Sequence, residues 1–154
     1  MIEEWIRQVN IFHEPERRSC SFFREHFKGF YSPEFLETAY FVVTDNIPKP
    51  DFPELREAGL GDFIDMEFGG ITYNDTYYVK KGSANEFSLH FHELVHVVQW
   101  KELSPEGFIR RYIQEIEEFG YDGAPLEKMA YSLQSHYQLK EHPLGVEQYV
   151  RENL

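Results

Sequence analysis

Apolar positions recur every three or four residues at the start of the chain, with Trp5, Ile6 and Val9 followed by Phe22, Phe23, His26, Phe27 and Phe30. That rhythm predicts one or two amphipathic helices over residues 1–30, covering a core. The pattern changes at residues 38–44, Thr-Ala-Tyr-Phe-Val-Val-Thr, which are rich in β-branched and aromatic side chains and are closed by Asp45-Asn46-Ile47-Pro48. A buried strand ending in turn chemistry is expected there. Residues 48–70 hold three prolines and four glycines, a loop composition with room for one helical turn around Glu54 to Ala58. From Gly70 to Gly82 the residues alternate and break at Asn74-Asp75, as two short strands joined by a tight turn would.

Helical periodicity returns after Gly82. Ser83 or Asn85 can cap a helix over 84–103, and Ser104-Pro105 closes it while offering the cap and first-turn proline of a second helix over 105–119. In that second helix Phe108, Ile109, Tyr112, Ile113 and Ile116 share a face. Gly120 to Gly123 interrupt, Pro125 opens a helix over 124–138, and Pro143-Leu-Gly145 precedes a short helix over 145–152. Residues 1–154 therefore read as one α+β domain. A small, mostly antiparallel sheet from region 38–82 packs against the helix over 84–103 and a helical C-terminal half.

With 42% hydrophobic and 17% aromatic residues the chain has ample material for such a core. Its formal charge of -12 repels polyanions, so nucleic acid and anionic membrane surfaces are not expected partners. No stretch approaches the ~18 apolar residues of a membrane span. Cys20 is the only cysteine, which excludes an internal disulfide and a cysteine-rich metal ribbon. The first residues carry Glu3 and Glu4 where a secretory leader would carry positive charge. A cytoplasmic location is the expectation.

The candidate chemistry lies at His92-Glu93-Leu94-Val95-His96. Four residues apart on a helix, His92 and His96 project from one face toward a common metal, with Glu93 set slightly aside. Two imidazoles supply two of the three protein ligands usual at a catalytic zinc, and the glutamate is placed to act as general base toward a water. The neighbours Phe91, Leu94, Val95, Val97 and Val98 are apolar, so the His-Glu-x-x-His insert sits on a buried helix rather than a charged face. His90 points off another side and is read as a non-ligand. The extended metzincin pattern fails because Gln99 and Glu102 stand where it needs glycine and histidine.

A third ligand must come from elsewhere. Glu127, in the first turn of the helix over 124–138, is the best candidate, because a later helix folded beside the first can deliver its carboxylate; Glu102, Glu115, Glu118, Asp122 and His136 are alternatives. Tyr131 and Gln134 share Glu127's face and can orient ligands or donate to a developing oxyanion, Gln99 lies one turn beyond His96, and Tyr112 and Tyr121 are further donors.

His-Glu-Leu-Val-His-Val-Val-Gln99, followed about thirty residues on by Pro125-Leu-Glu-x-x-Ala130-Tyr, resembles the gluzincin-like DUF4157 domain. The resemblance spans roughly residues 38–138 and includes the strand-like Gly70 to Val79 before the motif; Ala124 departs from it, standing where an asparagine is common. It implies a zincin-like fold, Zn²⁺ bound by His92, His96 and Glu127, Glu93 as base, and metallopeptidase activity on a peptide or protein substrate. Tyr131 is carried as a second catalytic candidate. The rival expectation is a catalytically inactive zinc-binding module serving a larger protein assembly.

Overall fold

In a computed structural model describing residues 1–154, four strands form one mixed sheet: β1 (Arg18–Ser19), β2 (Tyr40–Thr44), β3 (Gly70–Tyr73) and β4 (Thr76–Lys80). Their order is β1-β2-β4-β3. The outer pairings, β1 with β2 and β3 with β4, are antiparallel, whereas the central pairing of β2 with β4 is parallel, with Phe41 opposite Tyr77 and Val42 opposite Tyr78. The expected mostly antiparallel sheet thus has a parallel centre. The chain reaches that arrangement by leaving the sheet after Thr44 and re-entering through the β3–β4 hairpin, whose turn holds Asn74 at a φ of 64°.

Strand periodicity of two buries the sheet on both faces. Phe41, Tyr77 and Val79 point into one core with Phe91, Leu94, Val95 and Val98, whereas Val42, Tyr73 and Tyr78 point into another with Ile6. Each such fully buried side chain contributes about 1.5–3 kcal/mol relative to exposure. The second face is covered by α1 (Ile2–His13), whose Trp5 ring meets Tyr73 edge-on at 5.3 Å.

Two segments differ from the periodicity-based expectation. Beyond α1 the N-terminal cover is not a second regular helix: a 3-10 turn (Cys20–Phe23) and irregular turns follow β1, and Phe23 and Phe27 insert into the core from them. Aromatic spacing alone cannot distinguish turns from a helix when both bury the same side. After the short helix α2 (Pro33–Glu37) and β2, the loop region holds three consecutive helical turns: α3 (Pro53–Leu55), a π-type turn (Arg56–Leu60) and α4 (Gly61–Asp65). Gly59 at φ 96° bends this segment, and Arg56 braces it by pairing with Asp51 and Asp65 at 2.7 Å each.

The helical run α5 (Phe87–Gly123) is broken at Ser104, with φ 66° and ψ 159°. Pro105 causes the break, since a proline excludes the residue before it from helical geometry and offers no N–H of its own. Eight residues of unbroken helix would separate Cα atoms by about 12 Å. Here Trp100 and Phe108 stack at 4.3 Å across the break. The second limb therefore turns back beside the first. Gly120, at φ 75°, ends that limb, and α6 (Pro125–Gln138) and α7 (Val146–Asn153) complete the chain. No helix is long and apolar enough to cross a membrane.

Cys20 lies wholly inside the first core, 3.7 Å from the Tyr77 hydroxyl, and burial pushes its thiol up to about 12. A thiol held protonated and enclosed is a poor nucleophile. Iodoacetamide at mildly alkaline pH is expected to leave the folded protein unlabelled and to add one adduct per chain once guanidinium has unfolded it, as read by intact mass.

Candidate metal centre

The first limb of α5 crosses the sheet face formed by Gly70, Thr72, Tyr77 and Val79. Leu94, Val95 and Val98 seat it there, so the opposite stripe carrying His92 and His96 turns toward α6. Their rings meet edge-on at 4.9 Å. Glu127, in the first turn of α6, fills the space between them: Oε1 is 3.1 Å from His92 Nε2 and Oε2 is 3.2 Å from His96 Nε2. All three side chains are buried.

These spacings fit hydrogen-bonded side chains and also come near those of ligands around one cation. Ligand atoms ~2.0–2.1 Å from a tetrahedral ion lie roughly 3.3–3.5 Å from one another. The separations of 3.1 and 3.2 Å approach that edge length, and all three candidate ligand atoms fall within 4.8 Å of each other. His96 Nε2 is also a buried nitrogen without a hydrogen-bond partner, despite its distance to Glu127 Oε2. An unsatisfied polar atom aimed at a carboxylate in a dry interior marks a place for a positive charge. Burial opposes ionisation of Glu127, but attraction to His96 and the contacts with both imidazoles outweigh it and hold the carboxyl well below the usual range. His96 is likewise disfavoured as a cation by burial, yet Glu127 raises its pKa above the ordinary imidazole value. The buried carboxylate thus demands a proton on its neighbours or an ion between them, and a metal displaces such protons when it binds.

Two glutamines orient the imidazoles. His92 Nδ1 lies 2.9 Å from Gln134 Oε1, and His96 Nδ1 lies 2.7 Å from Gln99 Oε1. The orientation of the Gln99 amide follows from its other end, because Nε2 donates to the Leu126 carbonyl at 3.0 Å and the oxygen must then face His96. Each Nδ1 can therefore donate to an amide oxygen, leaving Nε2 for the gap. Tyr112 donates to Glu127 Oε2 at 2.6 Å; burial first, and the negative Glu127 second, keep its phenol protonated.

Glu93 is buried on the sheet side of the site, where β3 has been kept small to receive it. A Cβ on Gly70 would lie 3.1 Å from Glu93 Oε2, and the Thr72 hydroxyl donates to Oε1 at 2.8 Å. Burial raises the Glu93 pKa, with Glu127 adding to the rise while His92, His96 and the Thr72 bond oppose it. Sequence reasoning missed Gly70 and Thr72 as partners of Glu93. The available signal was the register of β3, which puts two small residues on the face that meets α5.

The other candidates are engaged elsewhere. Glu102 pairs with Arg151, and His136 bonds the His142 carbonyl, while Glu118 and Asp122 are exposed. Glu115 is buried, but its Oε1 accepts from the Leu126 N–H at 2.8 Å, a cap for α6 that the Ala124 side chain cannot provide. His90 faces the sheet between the Tyr77 hydroxyl and the Ala84 carbonyl. Tyr131 sits at the rim, 46% exposed, its ring 4.4 Å from that of His92 and its hydroxyl 3.0 Å from Tyr121's.

Compared with known proteins, the chain matches no family model, no curated protein and no solved structure. The site therefore rests on its own geometry.

Removing a hydrogen bond that orients a ligand typically costs 10–100-fold in metal affinity. Gln99→Ala should weaken Zn²⁺ binding by about that factor in a competition titration against a chromogenic chelator, while circular dichroism shows the helices retained. Unchanged affinity would show that Gln99 serves packing alone.

Proposed function

We propose that this chain is a zinc-dependent peptidase in which His92, His96 and Glu127 hold the ion and Glu93 is the general base. The observation that carries the reading is the buried triad, with an unpartnered His96 Nε2, beside a fourth buried group that no ligand role requires. When bound, Zn²⁺ would supply Lewis acidity toward a carbonyl oxygen and a lower pKa for a coordinated water. The rest of the chemistry falls to the protein. Glu93, held at Oε1 by Thr72, takes the proton from the attacking water and passes it to the departing amine. Its raised pKa suits a group that must hold that proton between the two transfers. Tyr131, whose ring lies 4.4 Å from that of His92, and Tyr121, paired with it at the rim, supply hydroxyl donors for an oxygen that gains negative charge.

Backbone geometry supports a peptide as the substrate. Gly69 C=O accepts from Lys80 N–H at 2.8 Å, and alternation along an antiparallel pair then turns the N–H and C=O of Gly70 and Thr72 away from β4. Because β3 is an edge strand, these groups are free to pair with an extended chain beside Glu93. β4, by contrast, is interior and offers no edge. An inactive zinc-binding module would account for the triad but leaves Glu93, buried against an open strand edge, without a purpose.

Replacing Glu93 with Gln should preserve one Zn²⁺ per chain and lower hydrolysis of a fluorogenic peptide by about 10²–10⁴-fold, whereas Glu127→Ala should lose the metal. Retained hydrolysis in the first variant, or retained stoichiometric zinc in the second, would overturn the assignment.

A further inference from the structure

Glu93, His96 and Glu127 open into a cleft whose walls are of a different kind from the site. Of its 21 lining residues 15 are hydrophobic, and the only carboxylates among them are Glu93 and Glu127 themselves. No lysine or arginine lines it. Leu55, Leu60 and Phe63 come from the braced segment between β2 and β3; Tyr112, Ile113 and Tyr121 come from beyond the break at Ser104. The two walls meet where Phe63 packs edge-on against Tyr112 at 5.8 Å. Gly70 and Thr72, with their outward backbone groups, line the same cleft.

We infer that the cleft selects extended peptides carrying a bulky apolar side chain, such as Leu or Phe, next to the bond presented to Glu93. This deepens the peptidase reading and rests on it. The β3 edge pairs with main chain and is indifferent to side chains, so selection falls to the walls. An acidic side chain or a lysine head entering them must shed water against Leu55, Phe63 and Ile113, which offer it no polar partner. An apolar side chain loses nothing of that kind. Its burial is worth about tenfold or more in affinity over alanine. The occupant is a peptide rather than a free hydrocarbon, because the same cavity presents paired backbone donors and acceptors along one side.

The test uses blocked pentapeptides of alanine in which the central residue is Leu, Phe, Ala, Asp or Lys. Each is titrated by calorimetry into zinc-loaded Glu93→Gln protein, where binding is read without turnover, and each is also offered to the wild type with cleavage followed by mass spectrometry. Leu and Phe peptides should bind at least about tenfold tighter than the other three, and Ile113→Asp or Phe63→Ala, checked for folding by thermal melts, should erase that margin. Equal affinity across the series, absence of binding, or a preference for Asp or Lys overturns the inference. The two readings separate cleanly: cleavage by the wild type without side-chain preference removes the apolar selection and leaves the peptidase standing. Apolar-selective binding with no cleavage of any peptide removes the peptidase and leaves the cleft's selectivity standing.

Discussion

Glu127's carboxylate sits in a dry interior between two imidazole nitrogens, and much of the surrounding architecture serves to make that tolerable. An unpaired buried carboxylate would be expensive enough to change its protonation or its position. Here the cost is met by His92 and His96 from α5 and by the Tyr112 hydroxyl from the second limb of the same helical run. Helix α6 is in turn held by α5 through Gln99 at the Leu126 carbonyl and Glu115 at the Leu126 N–H. A single residue in the first turn of α6 is thus secured at both of its backbone groups by side chains that also frame the site. Packing of α6 on α5 therefore brings Glu127 to the two imidazoles. An ion bound there would stabilise the fold by its binding free energy.

Much of this was legible in the chain itself. The spacing of His92 and His96, the apolar company of Leu94 and Val95, and the punctuation by Ser104-Pro105, Gly120 and Pro125 are local signals, and local periodicity reports local structure. Of the residues the sequence singled out, His92, His96 and Glu127 come together in space, with Glu93 alongside and Gln134, Tyr131 and Tyr112 in contact with members of the triad. What stayed hidden depends on long-range placement. The parallel pairing of β2 with β4 joins strands separated by the whole of the β2–β3 connection, and nothing in Tyr40–Thr44 announces which neighbour it will choose. Thr72 and Gly70 matter because of the helix they face, 21 residues downstream in the case of Thr72 and Glu93. The two-residue strand β1 is too short to carry any alternation at all.

Segment 53–65 is a case where composition misdirects. Prolines and glycines suggested irregular chain, yet Pro53 stands at the start of a helical turn, where its missing N–H has no cost, and Gly59 supplies the one left-handed residue needed between turns. Arg56 then ties both ends of the segment together through exposed pairs with Asp51 and Asp65. Such pairs are individually weak in water. Their effect here is geometric, holding Leu55, Leu60 and Phe63 on the inner side.

The break at Ser104 has an evolutionary consequence. The candidate metal ligands and their amide partners occupy residues 92–99 and 127–134, whereas most of the apolar wall belongs to residues 55–68 and 108–121. Because Pro105 interrupts the helix between the two sets, substitutions that reshape the second limb need not propagate as a rotation of the first. Apart from Tyr112, which touches Glu127, and Tyr121, which pairs with Tyr131, the wall residues can drift in size and polarity while His92, His96 and Glu127 keep their spacing. A lineage built on this scaffold can reshape its cleft without disturbing the cluster of His92, His96 and Glu127.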